Sequence, residues 1–138
     1  MNRARVPLLP SRVRWLAVAA VAVGILAASL APSAGTATLR GPLGVAGLDK
    51  YLHGLAFAGF ALVLAYALAR RDPATVALAV FAAAVGFGLL VELLQAPLAH
   101  RTFSLADLAA DAVGAALVAV GWHRTAGRLR FRQPGARA

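Results

Sequence analysis

From Trp15 to Leu39 no side chain carries a charge. A run of that length exceeds what a soluble helix hides, and it satisfies the about 17–25 apolar residues needed to cross a hydrocarbon layer. Three more runs of this kind follow. One extends from about Tyr51 to Ala69, with His53 as its only ionisable group apart from tyrosines. The next, from about Ala74 to Pro97, is uncharged until Glu92, and the last, from about Leu105 to Trp122, carries Asp107 and Asp111. The runs are continuously apolar without period-two alternation, so helices and not barrel strands are expected. The fold class read from this pattern is all-α, a four-helix transmembrane bundle. Composition agrees: 61% of the residues are hydrophobic and 14% charged, where soluble domains carry about half and about a quarter. With no cysteine in the chain, disulfides, thiolate catalysis and cysteine-ligated metals are excluded.

The punctuation between runs has physical causes. Pro32, Ser33 and Gly35 break the first helix. Arg70, Arg71, Asp72 and Pro73 make a tight polar turn, with Pro73 suited to a helix start because its missing N–H would be unpaired there. Pro97 closes the third helix and Ser104 is the expected N-cap of the fourth. Residues 1–14 read as a basic tail, 15–123 as the membrane domain, with spans at about 15–31, 51–69, 74–97 and 105–122, and 124–138 as a second basic, solvated tail. The first run also has features of a signal peptide, with a basic start and small residues near Ala28 and Ala34. Its apolar stretch is longer than the usual ~7–15 residues, and Pro32 crowds the cut, which favours a retained helix.

Net charge is +9. In the four-span arrangement eleven cations fall on one side: Arg3, Arg5, Arg12, Arg14, Arg70, Arg71, Arg124, Arg128, Arg130, Arg132 and Arg137. The other side holds three, Arg40, Lys50 and Arg101. Cytoplasmic loops collect Arg and Lys, so both termini are expected in the cytoplasm of a multi-pass protein of the cell membrane. The basic tails are expected to meet anionic lipid. A nucleic-acid role would call for aromatics interleaved with the bases, and Phe131 alone is weak support, so no nucleic-acid partner is expected.

The acids are distributed unevenly. Of five, Asp49, Glu92, Asp107 and Asp111 all fall at the outer end of the bundle. Asp49 and His53 are four apart, Glu92 and Gln95 three apart, and Asp107, Asp111 and Gly114 continue one stripe, with Gly88 four before Glu92. Asp111 is expected roughly 6 Å deeper than Asp107 and to be the most buried acid. A carboxylate at the centre of a membrane helix costs roughly 2.5–3.5 kcal/mol on the insertion scale, so these groups are expected to face one another. The expectation is one outward-opening polar pocket walled by the second, third and fourth helices, made of Asp49, Lys50, His53, Glu92, Gln95, Arg101, Asp107 and Asp111. The alternative is a purely structural network in which Lys50, Arg101 and His53 pair with the acids and pin helix ends together.

The same residues carry a resemblance. Asp49-Lys50-x-x-His53-x-x-x-Phe57, then Glu92-x-x-Gln95, then Arg101-x-Phe103-Ser104-x-x-Asp107-x-x-x-Asp111-x-x-Gly114 resembles the VanZ-like family of small polytopic membrane proteins over residues 49–114. The resemblance implies four helices, a membrane location and a shared outer polar site. Members often carry Asn where Asp111 stands. The family takes its name from a protein associated with teicoplanin resistance, and that phenotype is not carried over to this chain.

Other chemistry fits less well. A lipid-phosphate phosphatase needs separated Arg and His motifs at a different spacing. Ser104 sits where capping explains it better than nucleophilic catalysis. A cation site from Glu92, Asp107, Asp111 and His53 lacks a fixed ligand count. Gly86-x-Gly88 lies within an apolar helix, where packing explains it, and His100 is expected solvated in an outer loop. The leading expectation is therefore a binding protein of the cell envelope without catalytic residues, metal or cofactor. Lys50 and Arg101 would hold an anionic head group, Asp49 and His53 would orient Lys50 and Gln95, and the carboxylates would accept hydroxyls or balance the bases. A small proton- or cation-coupled transporter titrating Asp111 and Glu92 is one alternative, and a structural membrane subunit the other. Association between copies is left open by the sequence.

Overall fold

The computed structural model describes residues 4–32, 39–99 and 101–132. Its elements run β1 (Ala4–Pro7), α1 (Ser11–Leu30), α2 (Leu48–Ala67), α3 (Pro73–Gln95), α4 (Leu105–Thr125), one 3₁₀ turn (Ala126–Arg128) and β2 (Leu129–Arg132). The four helices hold 20, 20, 23 and 21 residues, about 30 Å each at a rise of ~1.5 Å per residue. Each is long and apolar enough to cross a membrane. The helices start up to four residues before the spans read from hydropathy, because Arg12, Arg14, Asp49 and Lys50 are absorbed into first turns.

Caps set the starts of α3 and α4. Asp72 accepts from the amides of Ala74 (3.1 Å) and Thr75 (2.9 Å), with Pro73 at the first helical position. Ser104 accepts from Asp107 N at 3.1 Å, as its position suggested. Between α1 and α2, Arg40 and Gly47 form an antiparallel bridge around a tight turn in which Gly44 has φ +66°, a conformation costly for a residue with a Cβ.

The core lies between α2, α3 and α4. Phe57, Phe60, Ala61, Leu64 and Ala65 of α2 meet Val76, Val80, Ala84 and Val91 of α3 and Ala115 of α4. Phe57, Phe60 and Phe87 form an aromatic cluster with ring centroids 5.2–6.4 Å apart. The outward faces stay apolar: Leu55, Leu78 and Leu117 are each 71–72% exposed. Such a surface suits acyl chains rather than water. The tightest approach is between α2 and α4, where Gly114 packs on the backbone of Gly54 and a Cβ at Gly114 would collide with the Gly54 carbonyl.

α1 is peripheral. It packs mainly on α2, and Arg14 is its one buried residue. The Arg14 guanidinium donates through Nη1 to Tyr66 O (3.2 Å) and Ala67 O (2.5 Å), satisfying carbonyls at the C-terminus of α2. The Tyr66 hydroxyl donates to Pro7 O (2.7 Å) and accepts from Leu9 N (3.0 Å).

The expected solvated tail from Thr125 is corrected over Ala126–Arg132. Leu129–Arg132 pairs in parallel with Ala4–Pro7, and Phe131 stacks on Trp122 with centroids 5.7 Å apart. Backbone pairing and an aromatic seat outweigh the basic composition of both segments. The first and last described segments therefore lie together at one end of the bundle. Arg3, Ser33, Ala34, Gly35, His100 and Arg137 lie outside the described residues.

Two outcomes test this packing. Gly114→Ala costs about 1–3 kcal/mol by overpacking, whereas Gly121→Ala, inside α4 where a Cβ meets nothing within 4 Å, costs nothing and raises stability in mixed detergent by up to about 1 kcal/mol. At Asp72 the hydrogen bonds from Thr75, then from Ala74, hold the carboxyl below its ordinary value. The stabilisation is thus complete above the unfolded-state pKa and fades as pH falls through the lower folded one. Thermal scans across acid pH show this loss in the wild type and a smaller one in Asp72→Asn, where the Lys50-paired carboxylates Asp49 and Asp107 still titrate.

A candidate polar cleft at one end of the bundle

Helix spacing brings the four clustered acids together, as their stripes require. Lys50 on the first turn of α2 reaches two of them: its Nζ lies 2.5 Å from Asp49 Oδ2 and also donates to Asp107 Oδ1 on α4. One turn deeper, His53 Nδ1 and Asp111 Oδ1 are hydrogen-bonded at 3.0 Å. One ion pair and one hydrogen bond thus join α2 to α4 at the end opposite the ribbon. Glu92 closes the loop from α3 to α4, with its Oε2 accepting from Ser104 N at 2.6 Å. Ser104 in turn caps α4 with its hydroxyl, so one residue connects Glu92 and Asp107.

Glu92 and Asp111 are both 0% exposed, so Asp111 shares with Glu92 the place of most buried acid. Each has one oxygen hydrogen-bonded and one, Glu92 Oε1 and Asp111 Oδ2, buried with no protein partner. Asp111 Oδ2 lies over Gly88, where a Cβ would sit 2.8 Å away. Gly88 therefore makes the room for that carboxylate, a role consistent with its place on the Glu92 stripe.

Gln95 and Arg101 turn elsewhere. Gln95 Nε2 donates to Ser29 O (2.7 Å) and Arg101 Nη2 to Ala31 O (2.7 Å), so both satisfy carbonyls at the C-terminus of α1. His53 pairs with Asp111 and does not orient Gln95, while Asp49 does hold Lys50. Lys50, with a carboxylate on either side, is neutralised within the protein. Arg101 is different: among the described residues no carboxylate pairs with it, and its Nε is buried without a partner.

The open volume is also displaced from the expected place. A cleft of about 210 Å³ is lined by Ile25, Ala28 and Ser29 of α1, by Asp49, Leu52, His53, Ala56 and Phe57 of α2, and by Arg101. It lies between α1 and α2, not between α2, α3 and α4. At the Gly54–Gly114 approach α2 and α4 are in backbone contact, which closes the groove between those two helices at that point. Glu92, Asp107 and Asp111 stand behind the cleft and outside its lining, while Asp49, His53 and Arg101 line it. The contribution of α1 escapes a reading of hydropathy alone. Ser29, the only hydroxyl within that run before Pro32, was its one signal.

Within the described residues no three His, Asp or Glu side chains converge to hold a metal ion. Arg101 offers a cation without a carboxylate partner at the polar lip, beside Asp49 and the Asp111-bonded His53. Deeper along the helices Ile25, Ala56 and Phe57 form an apolar wall. Comparison with known proteins adds nothing to this geometry: no family model, curated protein or solved structure matches the chain.

The Lys50 pairing is testable by a double-mutant cycle. Lys50→Met leaves Asp49 and Asp107 facing each other and costs about 1.5–3 kcal/mol. In an Asp107→Leu background the same substitution costs clearly less, because the charge it would strand is already gone. Denaturation in mixed micelles measures both, and strictly additive losses would contradict the pairing.

Proposed function

We propose that this chain is a multi-pass protein of the cell membrane that binds the anionic head group of an amphiphile in the α1–α2 cleft. The observation that carries the reading is the polarity of the cleft along its depth. Arg101 and Asp49 stand at the helix ends with His53 one turn further in, and Ala56 and Phe57 of α2 and Ile25 of α1 lie deeper along the helices. That division matches a molecule with a charged head and an apolar body. Arg101 supplies the charge-assisted hydrogen bonds, since its guanidinium has no carboxylate partner among the described residues. Lys50, first expected to share this task, is engaged by Asp49 and Asp107 and serves to hold α2 against α4.

In this proposal the arginine-rich end, with both termini, faces the cytoplasm and the cleft faces outward, a reading supported by the charge asymmetry. Membership of the VanZ-like family belongs to the same proposal. Its support is the order and spacing of the Asp49–His53, Glu92–Gln95 and Arg101–Gly114 motifs. The role is binding, with no catalytic residue assigned.

A second reading has one observation in its favour. Glu92 Oε1 and Asp111 Oδ2 are buried without partners, and such oxygens suit a proton or a small cation. In that reading the chain is a proton- or cation-coupled transporter.

Native mass spectrometry of the detergent-purified protein separates them. For a head-group binder, wild type retains a phosphate- or otherwise acid-bearing amphiphile, which Arg101→Ala loses and Asp111→Asn keeps. Ile25→Trp, which fills the apolar half without changing charge, also expels it. A bound species indifferent to both Arg101→Ala and Ile25→Trp would refute the cleft assignment. Proton or cation flux in reconstituted vesicles that Asp111→Asn abolishes would establish the transporter instead.

A further inference from the structure

The opposite end of the molecule carries a second polar feature, unrelated to the cleft. In the parallel ribbon, Arg5 is in register with Arg130, Val6 with Phe131 and Pro7 with Arg132. Side chains alternate along a strand, so Arg5, Arg130 and Arg132 share one face while Val6 and Phe131 share the other. Burial follows that division: Val6 and Phe131 are partly covered and the three arginines exposed. Phe131 stacks on Trp122 and Leu8, the next residue, is 1% exposed, with its amide donating to Arg132 O at 2.7 Å. The ribbon is thereby seated on the bundle through its apolar face and fixed in register by its backbone.

Three guanidiniums side by side are unfavourable unless an anion lies among them, because like charges across neighbouring strands repel. Within the described residues none of the three has a carboxylate partner. The acid at this end, Asp72, is engaged by the amides of Ala74 and Thr75. A hollow of about 480 Å³ is bounded by Arg5, Arg130, Phe131 and Arg132, within the ~300–1,000 Å³ of small-molecule sites. Planar guanidiniums match phosphate oxygens bidentately.

We infer that the Arg5–Arg130–Arg132 face of the β1–β2 ribbon is a binding site for a phosphate group, carried either by a lipid head or by a soluble phosphate compound. The site is independent of the cleft, so either assignment stands or falls alone.

Trp122 reports on the ribbon directly, and Trp15→Phe removes the second tryptophan. The full chain with that substitution, in phosphatidylcholine nanodiscs, is titrated with pyrophosphate while tryptophan emission is followed. A saturable change is expected, weakened roughly tenfold or more in Arg5→Gln/Arg130→Gln/Arg132→Gln. The charge-matched control Arg70→Gln/Arg71→Gln/Arg124→Gln stays within about twofold of the parent. Arg130→Lys, which keeps charge and fold, weakens binding several-fold because the bidentate geometry is lost. Phosphatidylglycerol in the discs identifies the source. A lipid ligand shifts the emission before titration and competes with pyrophosphate, whereas a soluble ligand leaves the titration unchanged. Equal weakening in both triple variants, or no saturable response in either kind of disc, overturns the assignment.

Discussion

A carboxylate shut away from water must find a proton, a cation or a donor, and this requirement arranges one whole end of the bundle. Asp111 takes His53, Asp107 and Asp49 share Lys50, and Glu92 takes the amide that starts α4. The Lys50–Asp107 and His53–Asp111 pairs join helices from distant parts of the chain, while Glu92 ties the end of α3 to the start of α4. The lateral order of α2, α3 and α4 is therefore set by polar pairing at one end and by apolar packing along the length. Where pairing is incomplete, at Asp111 Oδ2 and Glu92 Oε1, the oxygens are buried without a protein partner, the first of them over Gly88.

The two ends use opposite chemistry. At the cleft end acids outnumber accessible bases and most charge is cancelled internally. At the ribbon end arginines predominate, and one of them, Arg14, is spent as a cap on α2 rather than as a surface charge. The protein thus separates an internally neutralised network from an uncompensated cationic face, across helices of about 30 Å.

How much of this could be read beforehand depends on the range of the interaction. The four helices follow from run length, and the alignment of Asp107 with Asp111 or Asp49 with His53 follows from a spacing of four residues. Pro73 and Ser104 announce helix starts by local rules. The partners of Gln95 and Arg101 could not be inferred this way. They are backbone carbonyls of Ser29 and Ala31, available because α1 happens to end beside α3. Placement of the cleft was missed for a related reason: glycine at 54 and 114 signals close packing, but which pair of helices it closes, and which pair stays parted, are tertiary facts. The ribbon left no local trace. A four-residue strand rich in arginine has the composition of a tail, and its register with a segment 125 residues away is invisible to any window along the sequence.

That ribbon also constrains assembly. Its strands come from the two extremes of the described residues, a sequence separation of 125, so loop-closure entropy opposes it strongly. During synthesis Ala4–Pro7 must wait, without its β2 partner, while all four helices are made. Closure of the ribbon therefore reports helix packing: only a chain that has placed α4 beside its predecessors can pair Leu129–Arg132 with Ala4–Pro7.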